Sequence, residues 1–203
     1  MKKRMVSLLL VLVMLLGLLP TAALAAPVGG GSGTAEDPYL IATAQELVDF
    51  RDAVNDSAKK STSKLCAKLT ANIDLGNEAW TPIGKMTNTY SDYVAFGGVF
   101  DGCGFAVVGL SLAADDPVQG LLRYVQEGAT VENVTVYGAI SASGANNTFG
   151  GIAGINRGTI KGCRFRGSIN GDSAVGGIVG INDTTGQISG CTAEGVLLAQ
   201  KYA

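Results

Sequence analysis

The chain writes one segment twice. Phe149-Gly-Gly-Ile-Ala-Gly-Ile-Asn156 returns as Val175-Gly-Gly-Ile-Val-Gly-Ile-Asn182. A second echo follows each copy: Gly158-Thr-Ile-Lys-Gly-Cys-Arg-Phe-Arg-Gly167 and Gly186-Gln-Ile-Ser-Gly-Cys-Thr-Ala-Glu-Gly195. A fainter third copy lies upstream, Gly120-Leu-Leu-Arg-Tyr-Val-Gln-Glu-Gly128 and then Ala129-Thr-Val-Glu-Asn-Val-Thr-Val-Tyr-Gly138. Units this short cannot enclose a core of their own. Each buries its apolar residues only against the next, so the repeat demands a stack.

Aligned, the copies give four apolar columns: Val131, Ile160 and Ile188; Val134, Cys163 and Cys191; Val136, Phe165 and Ala193; Ile140, Ile169 and Leu197. The spacing is 29 and then 28 residues. Apolar and polar residues alternate through the second and third columns, the period of a half-buried strand. Glycine closes each strand at Gly138, Gly167 and Gly195, where a bend is easiest without a Cβ. A helical repeat fails on the glycine density, at about 1 kcal/mol per helix-interior glycine. The pattern predicts an all-β fold, a right-handed parallel β-solenoid with one rung per repeat and turns built on the paired glycines Gly150-Gly151 and Gly176-Gly177. Asn156 and Asn182 fall at one turn position and are expected to hydrogen-bond from rung to rung.

The N-terminus carries an export signal. Lys2, Lys3 and Arg4 precede an apolar run from Val6 to Leu19, and Ala23-Leu24-Ala25 fits the small-x-small cleavage rule. Residues 1–25 are read as a signal peptide cut between Ala25 and Ala26, and 26–33 as a flexible glycine-rich leader. The run is shorter than a membrane span, so no span is expected in the mature chain. Losing the signal leaves twelve basic against seventeen acidic residues, a formal charge of −5. That disfavours nucleic acid and anionic membranes as partners. There is no histidine, which excludes HExxH zinc sites, Ser-His-Asp triads and Cys-His dyads. Cys163 and Cys191 share a column, and neighbouring parallel strands lie close enough for a disulfide. Val134 fills the same column, which favours reading both as small buried hydrophobes. No C-x-x-C pair exists, and no metal or cofactor is expected.

Residues 34–112 read as an N-terminal capping module. Thr43-Ala-Gln-Glu46 is a capping box opening a helix over about 44–57, with Leu47, Phe50 and Val54 on one face. Leu65 to Leu75 reads as a strand pair around Ala71-Asn72, and Phe105 to Leu112 carries alternating apolar residues into the repeats. Residues 113–203 form the repeat region, which ends just after a rung and is expected to continue in a longer protein. Gly33-Thr34 with Pro38 to Ile41, the capped helix, Leu69 to Leu75, Trp80-Thr-Pro-Ile-Gly84, Phe96-Gly-Gly-Val-Phe-Asp-Gly102 and Val108-Gly-Leu110 occur in that order. The series resembles the N-terminal module of bacterial exported proteins with GLUG repeats, and the doubled Gly-Gly-Ile-x-Gly-Ile-Asn segments resemble the GLUG motif itself. The resemblance implies a secreted or cell-surface protein whose repeats form a β-solenoid stalk or adhesive region.

Several residues could carry chemistry. Asp101 could act as an acid on a β-helix, although Asp-Gly is chiefly turn chemistry. Asp115-Asp116 fall short of the oxygen count calcium needs, and Gly97 to Asp101 resembles a calcium-binding GGxGxD turn but lacks its third glycine. Arg164, Arg166 and Lys161 could meet an acidic glycan, but the other copies do not repeat them. Tyr90, Tyr93, Tyr137 and Trp80 could stack on sugar rings, with Trp80 better placed in the core. The reading is a non-catalytic adhesion or display module, whose partners would be a surface glycan or a host or cell-envelope protein. The competing reading is a carbohydrate-active enzyme or glycan-binding module on a parallel β-helix.

Overall fold

A computed structural model describes residues 29–56, 61–86, 93–112, 116–141 and 147–199. The expected signal peptide and its cleavage pair Ala25 and Ala26 lie outside them, as do Tyr90 and Asp115. The chain coils through four stacks of parallel strands. Sheet one runs Tyr39–Ile41, Ala67–Leu69, Val99–Asp101, Thr130–Glu132, Thr159–Lys161 and Gln187–Ser189. Sheet two runs Ser61–Ser63, Tyr93–Phe96, Leu122–Val125, Ala153–Asn156 and Val179–Asn182, with Lys85–Met86 antiparallel on its second strand. Sheet three stacks Ile73–Asp74, Ala106–Leu112, Thr135–Ser141, Arg164–Gly171 and Thr192–Ala199. Sheet four is shorter, with Val118–Gln119, Thr148–Gly150 and Ala174–Gly176. One turn of the coil visits sheets four, two, one and three in that order.

The columns read from the repeat are the registers of these sheets. Val131 pairs with Ile160 and Ile160 with Ile188. Val136, Phe165 and Ala193 align, as do Ile140, Ile169 and Leu197. In the inner rungs these side chains are fully enclosed and form one continuous core. The Leu65–Leu75 segment is not a hairpin. Its strands Ala67–Leu69 and Ile73–Asp74 turn a corner into different sheets, and each pairs with the following rung.

Glycine has a stronger reason than bending at the column Gly138, Gly167 and Gly195, which are in register. A Cβ on Gly167 would overlap the carbonyl oxygen of Gly138, and one on Gly195 that of Gly167. At the corner into sheet two, a Cβ on Gly150 would meet the Ala153 carbonyl, and one on Gly151 the Phe165 ring. Gly176 and Gly177 repeat this against Val179 and Ala193. The paired glycines therefore let the corner close over the core.

A single helix among the described residues, α1 (Ala44–Asn55), caps the first rungs. Thr43 Oγ1 accepts from Glu46 N–H, and the Glu46 carboxylate accepts from Thr43 N–H at 3.0 Å and from Ala42 N–H at 2.7 Å. The helix ends at Asn55, with Asp56 as its cap. Leu47, Phe50 and Val54 are fully buried, and Phe50 sits edge-on to Phe96 at 6.2 Å and tilted against Phe100 at 6.0 Å.

Candidate functional site

The most built feature of the outer surface lies where sheet two turns into sheet one. Parallel pairing places Tyr124 beside Ile155 and Ile155 beside Ile181. Next come Val125, Asn156 and Asn182, also in register. One residue further, Gln126 N–H bonds Phe96 O, Arg157 N–H bonds Val125 O, and Asp183 N–H bonds Asn156 O, each at 2.8 Å. Gln126, Arg157 and Asp183 thus occupy one position on three successive rungs.

Asn156 locks this corner from inside. It is fully buried; its Nδ2 donates to Asn182 Oδ1 at 2.8 Å, and its Oδ1 accepts from Gly158 N–H at 3.0 Å. Asn182 Nδ2 in turn donates to Gly186 O at 2.9 Å. These bonds satisfy buried polar groups and fix the turn that carries Arg157.

Tyr93 and Tyr124 come from adjacent rungs, with ring centroids 5.5 Å apart and planes at 43°. With Val125, Gln126, Ile155 and Arg157 they line a cavity of about 150 Å³. A wider, polar concavity of about 460 Å³ adjoins it, lined among others by Gly128, Gly158, Thr159, Thr184 and Gln187. Arg157 belongs to both. Arg157 Nε donates to Asp183 Oδ2 at 2.7 Å. That bond raises the Arg157 pKa and lowers that of Asp183, whose other oxygen accepts from Thr184 N–H at 2.7 Å.

Apart from Tyr93, Asn156 and Asn182, the residues singled out from sequence lie elsewhere, and the charged ones have local partners. Asp101 Oδ1 accepts from Cys103 N–H at 2.8 Å and Asn133 Nδ2 at 3.2 Å, an Asx turn bridging two rungs. Asp116 pairs with Arg123 at 2.8 Å. Lys161 pairs with Glu132 at 2.8 Å and Arg166 with Glu194 at 2.9 Å, while Arg164 Nε donates to Thr192 Oγ1 at 3.0 Å. Trp80 is buried, donates from Nε1 to Leu121 O at 3.2 Å, and lies under Arg51 at 5.0 Å. Tyr137 is exposed on sheet three, apart from the Tyr93–Tyr124 pair.

The cysteines are unpaired thiols. Cys163 donates to Lys161 O at 3.4 Å and Cys191 to Ser189 O at 3.4 Å. Burial pushes the Cys163 thiol up to about 12. Among the described residues no group of three or more Cys, Asp and Glu side chains gathers as a metal site.

Of the corner residues, only Tyr93 stood out in the sequence as a surface aromatic. Tyr124, Gln126, Arg157 and Asp183 did not. Tyr124 and Gln126 lie in the faint third copy, which keeps only Gly120 of the doubled segment's three glycines. Extending the alignment of the first echo upstream sets Tyr124 on Ile155 and Gln126 on Arg157, which is the signal that finds them.

Comparisons with known proteins agree with this architecture. Residues 171–196 match the model of the GLUG motif. The chain is 31% identical over 163 residues to halomucin of Haloquadratum walsbyi, covering 78% of this chain and 2% of that one. It is 31% identical over 133 residues to a candidate Gly-rich membrane protein of Evansella cellulosilytica, covering 64% of this chain and 15% of that one. It therefore spans a small fraction of these relatives. A crystal structure of a candidate immunoglobulin A1 protease from Bacteroides ovatus superposes with a TM-score of 0.65 at 25% identity, over 82% of this chain and 50% of that one. The chain carries the GLUG repeat on a parallel β-solenoid, and one of these relatives is named as a Gly-rich membrane protein.

Proposed function

We propose that this is an exported, non-catalytic adhesion or display module, one segment of a longer cell-surface protein. The observation that carries the reading is how the polar residues of successive rungs are used. Asp101, Asp116, Asp183 and Glu132 each hold a turn or a neighbouring cation; Asp101 and Glu132 are register neighbours on sheet one, but the first is tied into its Asx turn and the second is paired with Lys161. Export is supported by the basic, apolar and small-residue order of residues 1–25, and surface placement by the names of the relatives. No helix among the described residues is long and apolar enough to cross a membrane. The small share of each relative that the chain matches supports its place as one segment among others.

The name of the structural neighbour motivates the test. Purified chain is incubated with immunoglobulin A1 and, separately, with plant and bacterial polysaccharides, and products are followed by mass spectrometry. Intact substrates are the expected result. Cleavage that co-purifies with the chain and disappears in Asp101→Asn or Asp183→Asn would overturn the reading. Antibodies against the solenoid should label intact cells, and labelling only after lysis would count against display.

A further inference from the structure

We propose that the corner formed by Tyr93, Tyr124, Gln126 and Arg157 binds an uncharged saccharide. This goes beyond the display role, which needs no recognition of sugar at all. Three features of the corner select that ligand. The first is shape. The cavity of about 150 Å³ has room for a small organic ring rather than one or two waters. Tyr93 and Tyr124, their rings 5.5 Å apart and tilted at 43°, line it together with Val125, Ile155, Gln126 and Arg157. An apolar wall with a few placed hydrogen-bonding groups is the ordinary make-up of a small-molecule site. Aromatic faces suit the C–H face of a pyranose ring.

The second feature is the donor set. Asp183 takes the Arg157 Nε, which leaves the two terminal amino groups of the guanidinium outside that bond. Gln126 adds an amide, a donor and an acceptor on one side chain. Adjacent donors and acceptors match neighbouring hydroxyls. The polar concavity continues from Arg157 across Thr159, Thr184 and Gln187, so a second sugar unit has a path along the rungs.

The third is charge. Arg157 and Asp183 form a neutral pair, and Glu127 lines the adjoining polar concavity. An anion would compete with Asp183 for Arg157 and face Glu127 as well. The mature chain, net negative, adds no attraction for it. Asp183 itself is a positioning residue: it fixes the guanidinium and cancels its charge.

The full chain is screened on an array of neutral and acidic oligosaccharides, and the strongest neutral hit is titrated by calorimetry. Binding is expected in the micromolar to low-millimolar range and insensitive to salt. Tyr124→Ala and Arg157→Ala should each weaken it about tenfold or more. Tyr124→Leu keeps the apolar wall without the flat ring and should weaken it as well, with an unchanged circular dichroism spectrum. Lys161→Ala, whose partner is Glu132 on sheet one, should bind as the parent does. No neutral hit, a hit indifferent to Tyr124→Leu and Arg157→Ala, or a preference for acidic oligosaccharides lost with added salt would each overturn the proposal. None of these results bears on the hydrolysis assays or on surface labelling, so the display reading stands or falls separately.

Discussion

The two ends of the stack are built from the same columns and have opposite surfaces. At the N-terminal end, α1 lays Leu47, Phe50 and Val54 over the first rungs and encloses them. At the last described rung no described residue covers the columns. Ile160 is 0% exposed and its register mate Ile188 is 42% exposed; Ile169 is 0% and Leu197 is 49%. Residue type is kept or nearly kept in these two pairs, so the difference in burial belongs to the neighbouring rung and not to the residue. The edge strands Val179–Asn182, Gln187–Ser189 and Thr192–Ala199 likewise present backbone groups that the inner rungs have paired. Such an edge is a template for another strand.

The largest effects should come from breaking inner columns and sparing outer ones. Phe165→Ala and Phe50→Ala should each cost about 3–5 kcal/mol, and Leu197→Ala only a fraction of that, because half of its surface is already in water. Urea unfolding followed by circular dichroism measures the difference. Equal losses at Phe165 and Leu197 would mean that the last rung is covered in solution. Next in size is the glycine column. Gly167→Ala forces a Cβ into the Gly138 carbonyl between two fixed strands, at roughly 1–3 kcal/mol for an overpacked interior. Gly195→Ala meets the same obstacle on an edge strand, which can give way, and should cost less.

Much of this architecture was legible in the repeat itself. The columns were readable because each inner position must be apolar whenever its rung has neighbours on both sides. The helix was readable because Thr43 and Glu46 satisfy its first backbone groups locally. The corner site was harder to see for the same reason that the stack was easy. A repeat reports what all copies share, while Tyr124, Gln126 and Arg157 differ from their register mates. Conversely, Asp101 and Arg166 attracted notice as charged residues on a strand, and the structure places each beside a partner on the next rung. The 28-residue step already sets Arg166 against Glu194, whereas Asn133 lies one residue past the register mate of Asp101 and was not in an aligned column.

A smaller contrast separates the buried asparagine from its exposed mate. Asn156→Ala leaves the Gly158 N–H and the Asn182 amide without their partner inside the turn. The cost should be about 1–3 kcal/mol, the usual range for a stranded buried polar group. Asn182→Ala removes bonds at the open rung, where water can replace them, and should cost well under that. Similar values at both positions would show that the ladder adds nothing specific to the inner turn.

The thiols give the finest probe of the same gradient. Cys103 is exposed, Cys191 half-buried, and Cys66 and Cys163 are buried. Only a thiolate reacts with maleimide or disulfide reagents at a useful rate. Burial both closes access to Cys163 and holds its thiol near 12, so at pH 8 it should be the slowest to label in the native state. Cys103 should label first, although burial and the Asp101 carboxylate raise its pKa too and keep it slower than a free thiol. Cys191 shares its column with Cys163 but faces the open rung, and should fall between them. Its position in that order reports whether anything covers the last described rung. If Cys191 labels as slowly as Cys163, the last rung is covered in solution; if both label early, the stack opens from that end much faster than it unfolds as a whole.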